Sequence, residues 1–486
     1  MAREAPFFIG GKWRTSHLRL EVTNPYDQSL VGTTFLATEA DVESAIAAAV
    51  SAFEETRVAP AWRRAEWLDK IAAGIDAQKD DLARTIAQEA GKPIGDARGE
   101  VRRAVNTFRI TVEEAKRIGG ELLPLDTLPG SEGRIGLTRR APIGPIVAIT
   151  PFNFPLNLVA HKVAPALAAG NTVLLKPAPK TPLTALRLAE IIAAAGLPDG
   201  AVNCFVCDNA LAERMVVDPH VAMLTFTGSG PVGWHLKSRV NKKKVLLELG
   251  GNGGVIIHTG ADLDWAAKRC VTGGFSYAGQ VCIAVQRIFV QQALYAPFLD
   301  RFVPQVSALK SGDPLDETTS VGPMINEAAA RRAEEWIAEA VAAGAKVLTG
   351  GVRSGSFVAP TVLVDTTPAM NVNCQEVFAP IVTVTPYDHL NDAIAAVNDS
   401  PYGLQAGLFG GSMAEVFHAF DALRVGGLIV NDVPTYRNDQ MPYGGLKESG
   451  VGREGIRYAI EEMTDPKFMA LHLRTESKWP PPQPSP

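Results

Sequence analysis

The sequence predicts an α/β fold: two open, mainly parallel, twisted sheet domains with a small separate β element. Three observations carry it. From about residue 143, short β-rich runs (IVAIT, NTVLLKP, AVNCFVC, VAMLTFTG, KVLLELGG, GVIIH) alternate with helical patterns such as LTALRLAEIIAAAGL. Strands that alternate with helices pair in parallel through right-handed crossovers. The alternation resumes after Cys282 with RIFV, AKVLTGG, PTVLV, IVTVTPY, AGLFG and GGLIVN, and helices are expected at 326–344 and 391–398. Two alternating segments, RIGLTRRAPIG near 134–144 and KFMALHLR at 467–474, belong to neither series and are suited to pairing in a small sheet of their own.

Taken from the N-terminus, MAREAPFFIGGKW lacks an apolar run long enough for a secretory signal. Residues 39–54 repeat apolar positions at helical spacing, and 62–90 continue in helix-favouring residues with charges between. Residues 141–160 carry no charge, yet Pro142, Pro145, Pro151 and Pro155 each remove a backbone donor, so this is a buried strand running into a loop rather than a membrane span. The tail WPPPQPSP is proline-rich and is expected to be disordered. A length of 486 residues suggests about three domains. The net charge of −5 excludes a nucleic-acid footprint. Five cysteines in so long a chain form no disulfide framework, which fits a reducing, cytoplasmic setting. No metal site is expected.

Several short stretches carry chemistry, each with a plainer alternative. In AMLTFTGSGPVGWHLKSR, Gly228, Gly230 and Gly233 stand in G-x-G-x-x-G order between a strand-like and a helix-like run. Glycines there let a backbone approach a pyrophosphate at a helix N-terminus, and Thr227 and Ser229 add hydroxyls; a ligand-free glycine turn has the same spelling. Glu248 in LLELGGNGG lies about 20 residues on, where such a fingerprint places a ribose-binding acid. Burial between apolar residues and a glycine pair would equally raise its pKa for proton transfer, or it caps a turn. Lys176 ends the strand of GNTVLLKPAPKTP, at the strand end where open sheets bind ligands. Asn153 in TPFNFP sits on a proline-stiffened loop, as an oxyanion donor or a turn residue. Cys282 in YAGQVCIAVQRIFV reads first as a core cysteine, but Gly279 and Gln280 break the apolar run just before it, where a thiolate is accessible to activation. Cys204 and Cys207 are read as core.

Together TPFNFP, LLKPAPKTP, FTGSGPVG, LELGG, YAGQVC, GDPLDETTSVGPMI, QEVFAPIV and PYGGLKESGVGREG resemble the aldehyde dehydrogenase superfamily, over about residues 6–474, in the branch acting on lactaldehyde and other small 2-hydroxyaldehydes. The resemblance implies that Cys282 attacks the aldehyde, Asn153 and the Cys282 N–H hold the oxyanion, and Glu248 activates the water that releases the acid. It further implies NAD or NADP as cofactor. Lys176 would meet the adenosine ribose, Ser229 with Gly228 and Gly230 the pyrophosphate, and Glu376 the nicotinamide ribose beside Phe378. Pro179 stands where many NAD-using relatives carry a glutamate; with Lys180 nearby, NADP is expected to be accepted or preferred.

Implied domains are a Rossmann-like cofactor domain (1–119 and 143–250), a catalytic domain (251–461), an oligomerisation element (120–142 and 462–475) and a tail (476–486). A homodimer or homotetramer follows by analogy. Arg437, and Arg109 on a helix that lines the family's substrate tunnel, are candidates to hold an anionic substrate. The expected substrate is a small 2-hydroxyaldehyde or anionic short-chain aldehyde. The alternatives are a succinate-semialdehyde-type dehydrogenase and a cofactor-free thiol esterase.

Overall fold

The computed structural model describes residues 3–473, so the expected tail at 476–486 lies outside the described residues. An eight-stranded sheet runs in the spatial order Gly450–Val451, Lys244–Glu248, Met223–Thr227, Pro145–Ile149, Thr172–Lys176, Val202–Cys204, Phe7–Ile9, Lys12–Arg14. Its five central strands are parallel and its outer strands antiparallel. These five are fully or largely buried, which explains their continuous apolar spelling. The strand order reverses between Pro145–Ile149 and Met223–Thr227. In a doubly wound sheet, ligands sit beyond the strand ends at such a reversal.

The second sheet has the order Lys346–Thr349, Thr361–Val364, Ile381–Tyr387, Val285–Gln291, Gly253–Ile257, Gln405–Phe409, Gly427–Val430, parallel except at its first edge. Only Leu249–Asn252 separates the end of Lys244–Glu248 in one sheet from the start of Gly253–Ile257 in the other. A three-stranded antiparallel sheet joins Thr464–His472, Arg134–Pro142 and Leu122–Pro124. Among the described residues, no helix is long and apolar enough to cross a membrane, and no cluster of three or more His, Cys, Asp or Glu is arranged to hold a metal.

Two differences from the sequence reading stand out. The N-terminal strands, among them Arg19–Thr23 and Leu30–Phe35, are short and mix charges into the pattern, so periodicity hides them. The unit expected to run through residue 461 also ends sooner: Gly450–Val451 pairs with Lys244–Glu248, and Ile456, Ile460 and Met463 pack into the core of the first sheet. Apolar side chains on that last helix, Ile456–Glu462, match the helical layer of the first sheet, which fixes where it docks.

Candidate active site

The loop carrying Cys282 holds consecutive residues in the left-handed region. Tyr277, Ala278 and Gly279 hold φ of 49°, 52° and 66° in succession. Left-handed non-glycine residues of this kind concentrate at functional sites, because surrounding contacts must enforce them. Here those contacts are explicit. Tyr277 donates its N–H to Asp96 and its hydroxyl to the Ala90 carbonyl at 2.8 Å. A Cβ on Gly279 would lie 2.3 Å from the Ala379 carbonyl oxygen, so only glycine fits. The fully buried Gln280 accepts from Ile325 N–H at 2.8 Å, and its own carbonyl accepts from Asn153 Nδ2 at 2.9 Å. The amide and the cysteine loop are thus one hydrogen-bonded unit.

Glu248 ends its strand against the same unit. A Cβ on Gly251 would stand 2.2 Å from the Cys282 carbonyl oxygen, and one on Gly250 would stand 2.5 Å from the Glu376 carboxylate. The glycine pair therefore lets the cysteine loop and Glu376 close onto the end of the Glu248 strand. Glu248 is 3% exposed, and neither of its carboxylate oxygens has a hydrogen-bond partner. Burial, then repulsion from Glu454, raises its pKa well above the ordinary carboxylate range, against the pull of Arg437, Lys162 and Arg453. Such a carboxylate takes up protons readily at neutral pH.

Cys282 is half-buried beside Ile283, Leu404 and Tyr443, and its Sγ lies 3.1 Å from Tyr443 Oη. Burial pushes the thiol up to about 11, opposed first by the Tyr443 bond. Arg437 stacks its guanidinium 3.6 Å from the centre of the Tyr443 ring and donates to Glu454 at 2.9 Å. The other Glu454 oxygen accepts from Lys162 at 3.1 Å, and Lys162 also reaches Thr225 at 3.0 Å. Burial works against the Glu454 charge, but Lys162 and Arg437 prevail and hold its carboxyl below the ordinary range. Beside them Asp439 accepts from Arg103 at 2.7 Å and contacts His161 at 3.0 Å.

At the strand reversal, the glycine turn opens helix Gly230–Arg239. Its N-cap Ser229 makes no side-chain capping bond, and the buried hydroxyl of Thr227 has no partner. Space beside Gly230 is open, whereas a Cβ on Gly233 would meet Leu249 at 2.4 Å, so this third glycine serves helix-on-strand packing. Uncapped N–H groups and an idle hydroxyl at a helix N-terminus suit a phosphate. Lys176 is buried, with its ammonium destabilised by burial and supported by Cys207 and Asp208. Glu376 accepts from Gly251 N–H at 3.0 Å, and burial pushes its carboxyl up to about 7. Phe378 meets Phe152 edge-on at 6.0 Å. Pro179 and Lys180 are exposed, on the rim of a crevice shared with Tyr26 and Asn326.

A model of the aldehyde dehydrogenase family matches residues 13–469. The chain belongs to the aldehyde dehydrogenase family. It is 46% identical over 467 residues to a 3-sulfolactaldehyde dehydrogenase of Priestia aryabhattai, covering 96% of this chain and 98% of that one. Among solved structures it is similar to an aldehyde dehydrogenase of Physcomitrella patens in complex with the reaction product succinate (TM-score 0.96, 42% identity, 97% and 99% covered). It is likewise similar to glyceraldehyde-3-phosphate dehydrogenase of Methanocaldococcus jannaschii complexed with NADP (TM-score 0.90, 36% identity, 95% and 100% covered).

This aldehyde dehydrogenase therefore oxidises an aldehyde with NAD or NADP. Of the residues singled out from sequence, Cys282, Asn153, Glu248, Glu376 and Arg437 come together. Arg109 does not: it is exposed on helix Ile94–Ala115 and pairs with Asp76 at 3.1 Å. Six residues along an α-helix turn the side chain by a third of a revolution, and on this helix Arg103 is the arginine that reaches Asp439. Sequence reasoning missed Tyr443, Glu454, Lys162 and His161. The available signal was a charged HK pair within the apolar run NLVAHKVAPALAA, where solvent cannot satisfy it.

Proposed function

We propose that Cys282 is the nucleophile of this dehydrogenase, Asn153 its oxyanion donor and Glu248 its general base. The convergence of thiol, amide and unpartnered carboxylate at Gly250 and Gly251 carries the reading. Glu248 takes the thiol proton, sulfur bonds to the aldehyde carbon, and the carbonyl electron pair moves to oxygen. Asn153 Nδ2, with one hydrogen on the Gln280 carbonyl, keeps a second that, with the Cys282 N–H, would hold that developing charge. NAD(P), when bound, supplies the hydride acceptor that makes the reaction an oxidation. Glu248 passes the thiol proton to solvent, then deprotonates a water that cleaves the Cys282 thioester and returns that proton to the leaving sulfur, releasing the acid and the thiol.

Lys176 holds the adenosine ribose, the Gly228–Ser229–Gly230 turn with the start of its helix the pyrophosphate, and Glu376 and Phe378 the nicotinamide end. Pro179 offers no carboxylate against a 2′-phosphate, which supports use of NADP. The substrate is a short aldehyde bearing a carboxylate, sulfonate or similar anion. The relatives named for sulfolactaldehyde and bound to succinate support the class; Arg437, one aromatic ring from the sulfur, is already paired with Glu454, and Arg103 with Asp439. The outer edge of Thr464–His472 bears no partner strand among the described residues, and a second copy is its expected occupant. Five free cysteines support a cytoplasmic location.

The test is Cys282→Ser assayed beside wild type on a panel of short aldehydes. Turnover should fall more than about a hundredfold, ~2.7 kcal/mol in barrier, with cofactor binding by fluorescence retained. Higher residual turnover removes Cys282 from its role. In wild type, anionic aldehydes should exceed neutral ones of equal length in kcat/KM by about tenfold, and parity rejects the anionic class.

A further inference from the structure

Tyr443 has no part in the chemistry described so far, yet its hydroxyl touches the reacting atom. Its ring is 2% exposed and lies in the small apolar cluster with Ile283 and Leu404. Its backbone is held from both sides: its N–H donates to the Glu454 carbonyl at 2.9 Å, and the Glu454 N–H donates back at 2.6 Å. Arg437 fixes the ring face by stacking on it, and Glu454 in turn fixes Arg437. The hydroxyl is thereby aimed at Cys282 Sγ, 3.1 Å away, with little freedom to leave.

We propose that Tyr443 is a further catalytic residue, whose hydroxyl donates a hydrogen bond to the Cys282 thiolate and raises the fraction of the sulfur that is ionised before the aldehyde arrives. The proposal rests on Cys282 being the nucleophile. Protonation states agree with it. Burial raises the phenol well above its ordinary value, so Tyr443 keeps its proton and donates it in a hydrogen bond once the sulfur is ionised. The thiol proton goes to Glu248. When sulfur bonds to the carbonyl carbon its charge passes to oxygen, and the Tyr443 bond weakens as the intermediate forms.

Magnitudes decide whether such a bond helps. A hydrogen bond to a charged group is worth roughly one pH unit of thiol ionisation, about ten times more thiolate while the thiol is mostly protonated. Nucleophilicity falls with thiol pKa along a Brønsted slope of about 0.4–0.5, which returns roughly threefold of that. The net gain is about threefold. It exists only because burial places the Cys282 thiol, at about 11, far above neutral pH.

The test is Tyr443→Phe, which keeps the ring that Arg437 covers and the apolar cluster filled. Thiolate absorbance near 240 nm is titrated in the cofactor-free protein, with Cys282→Ser as the baseline, and Cys282 alkylation by iodoacetamide is timed at pH 8. The thiolate titration should move up by roughly one pH unit and alkylation slow about threefold, with cofactor affinity and thermal midpoint unchanged. An unmoved titration overturns the role of Tyr443, since a purely structural tyrosine would not set the thiol's ionisation. If Cys282→Ser stays active, the nucleophile assignment fails instead, whatever the tyrosine variant shows.

Discussion

Among the described residues two lysine–glutamate pairs are buried, and they are put to opposite uses. Lys92 and Glu100 meet at 2.5 Å with side chains 1% and 0% exposed. Every remaining valence there is spent on holding loops. Glu100 accepts from the Leu156 and Asn157 N–H groups at 2.9 and 3.1 Å, while the Lys92 ammonium lies 3.6 Å from the Phe154 ring centre and 4.6 Å from that of Tyr277. One pair thus ties the Asn153 loop to the Cys282 loop. Lys162 and Glu454 are as deeply buried, but their neighbour is Glu248, a carboxylate with no hydrogen bond of its own. A satisfied pair fixes positions, whereas a pair beside an unsatisfied charge sets that charge's proton affinity.

The largest effect should come from the positional pair. Lys92→Met strands the buried Glu100 charge and should cost about 3–5 kcal/mol in chemical denaturation. A loss below about 1 kcal/mol would break the contrast by making that pair dispensable. Next comes Glu454→Gln, which keeps one of the two acceptor oxygens used by Lys162 and Arg437 and should cost about 2 kcal/mol. Its distinguishing effect is on pH dependence. Glu454 repels the Glu248 charge, so neutralising it lowers the Glu248 pKa and moves the acidic limb of kcat/KM to lower pH. A limb that stays put would show that the second pair is structural as well.

The smallest effect has the opposite sign. Folded Glu248 holds its proton more tightly than the unfolded chain does, so its contribution to stability falls as pH rises above its ordinary value of 4.5. Glu248→Gln removes that penalty and should stabilise the protein by about 1 kcal/mol at pH 8 and by nothing measurable at pH 4, while stalling acid release. Equal thermal midpoints for variant and wild type at pH 8 would mean the carboxylate finds partners in solution.

How much of this was legible beforehand depended on whether a residue's role is local. The parallel strands were, because burial on both faces leaves uninterrupted apolar runs such as TVLLK and MLTFT. The glycine turn and the elements around Cys282 were, because close backbone approach restricts residue choice to glycine. The charge network was not. Arg437 could be singled out, yet its commitment to Glu454 and Tyr443 depends on chain segments that meet only in three dimensions. The outward position of Arg109 was hidden for a related reason: helical periodicity gives the angle between two side chains but not which face looks inward.

The glycine step between the two sheets also governs how this molecule can be rebuilt. Glu248, the proposed base, ends the last crossover strand of one half and the loop of Cys282, the proposed nucleophile, belongs to the other, so Gly250 and Gly251 are the seam along which the two are sewn. A linker, a tag or a new terminus placed there would spare both cores and still part the Cys282 thiol from the Glu248 carboxylate. Domain recombination among relatives must therefore carry LELGGNGG and the Cys282 loop together, as one cassette.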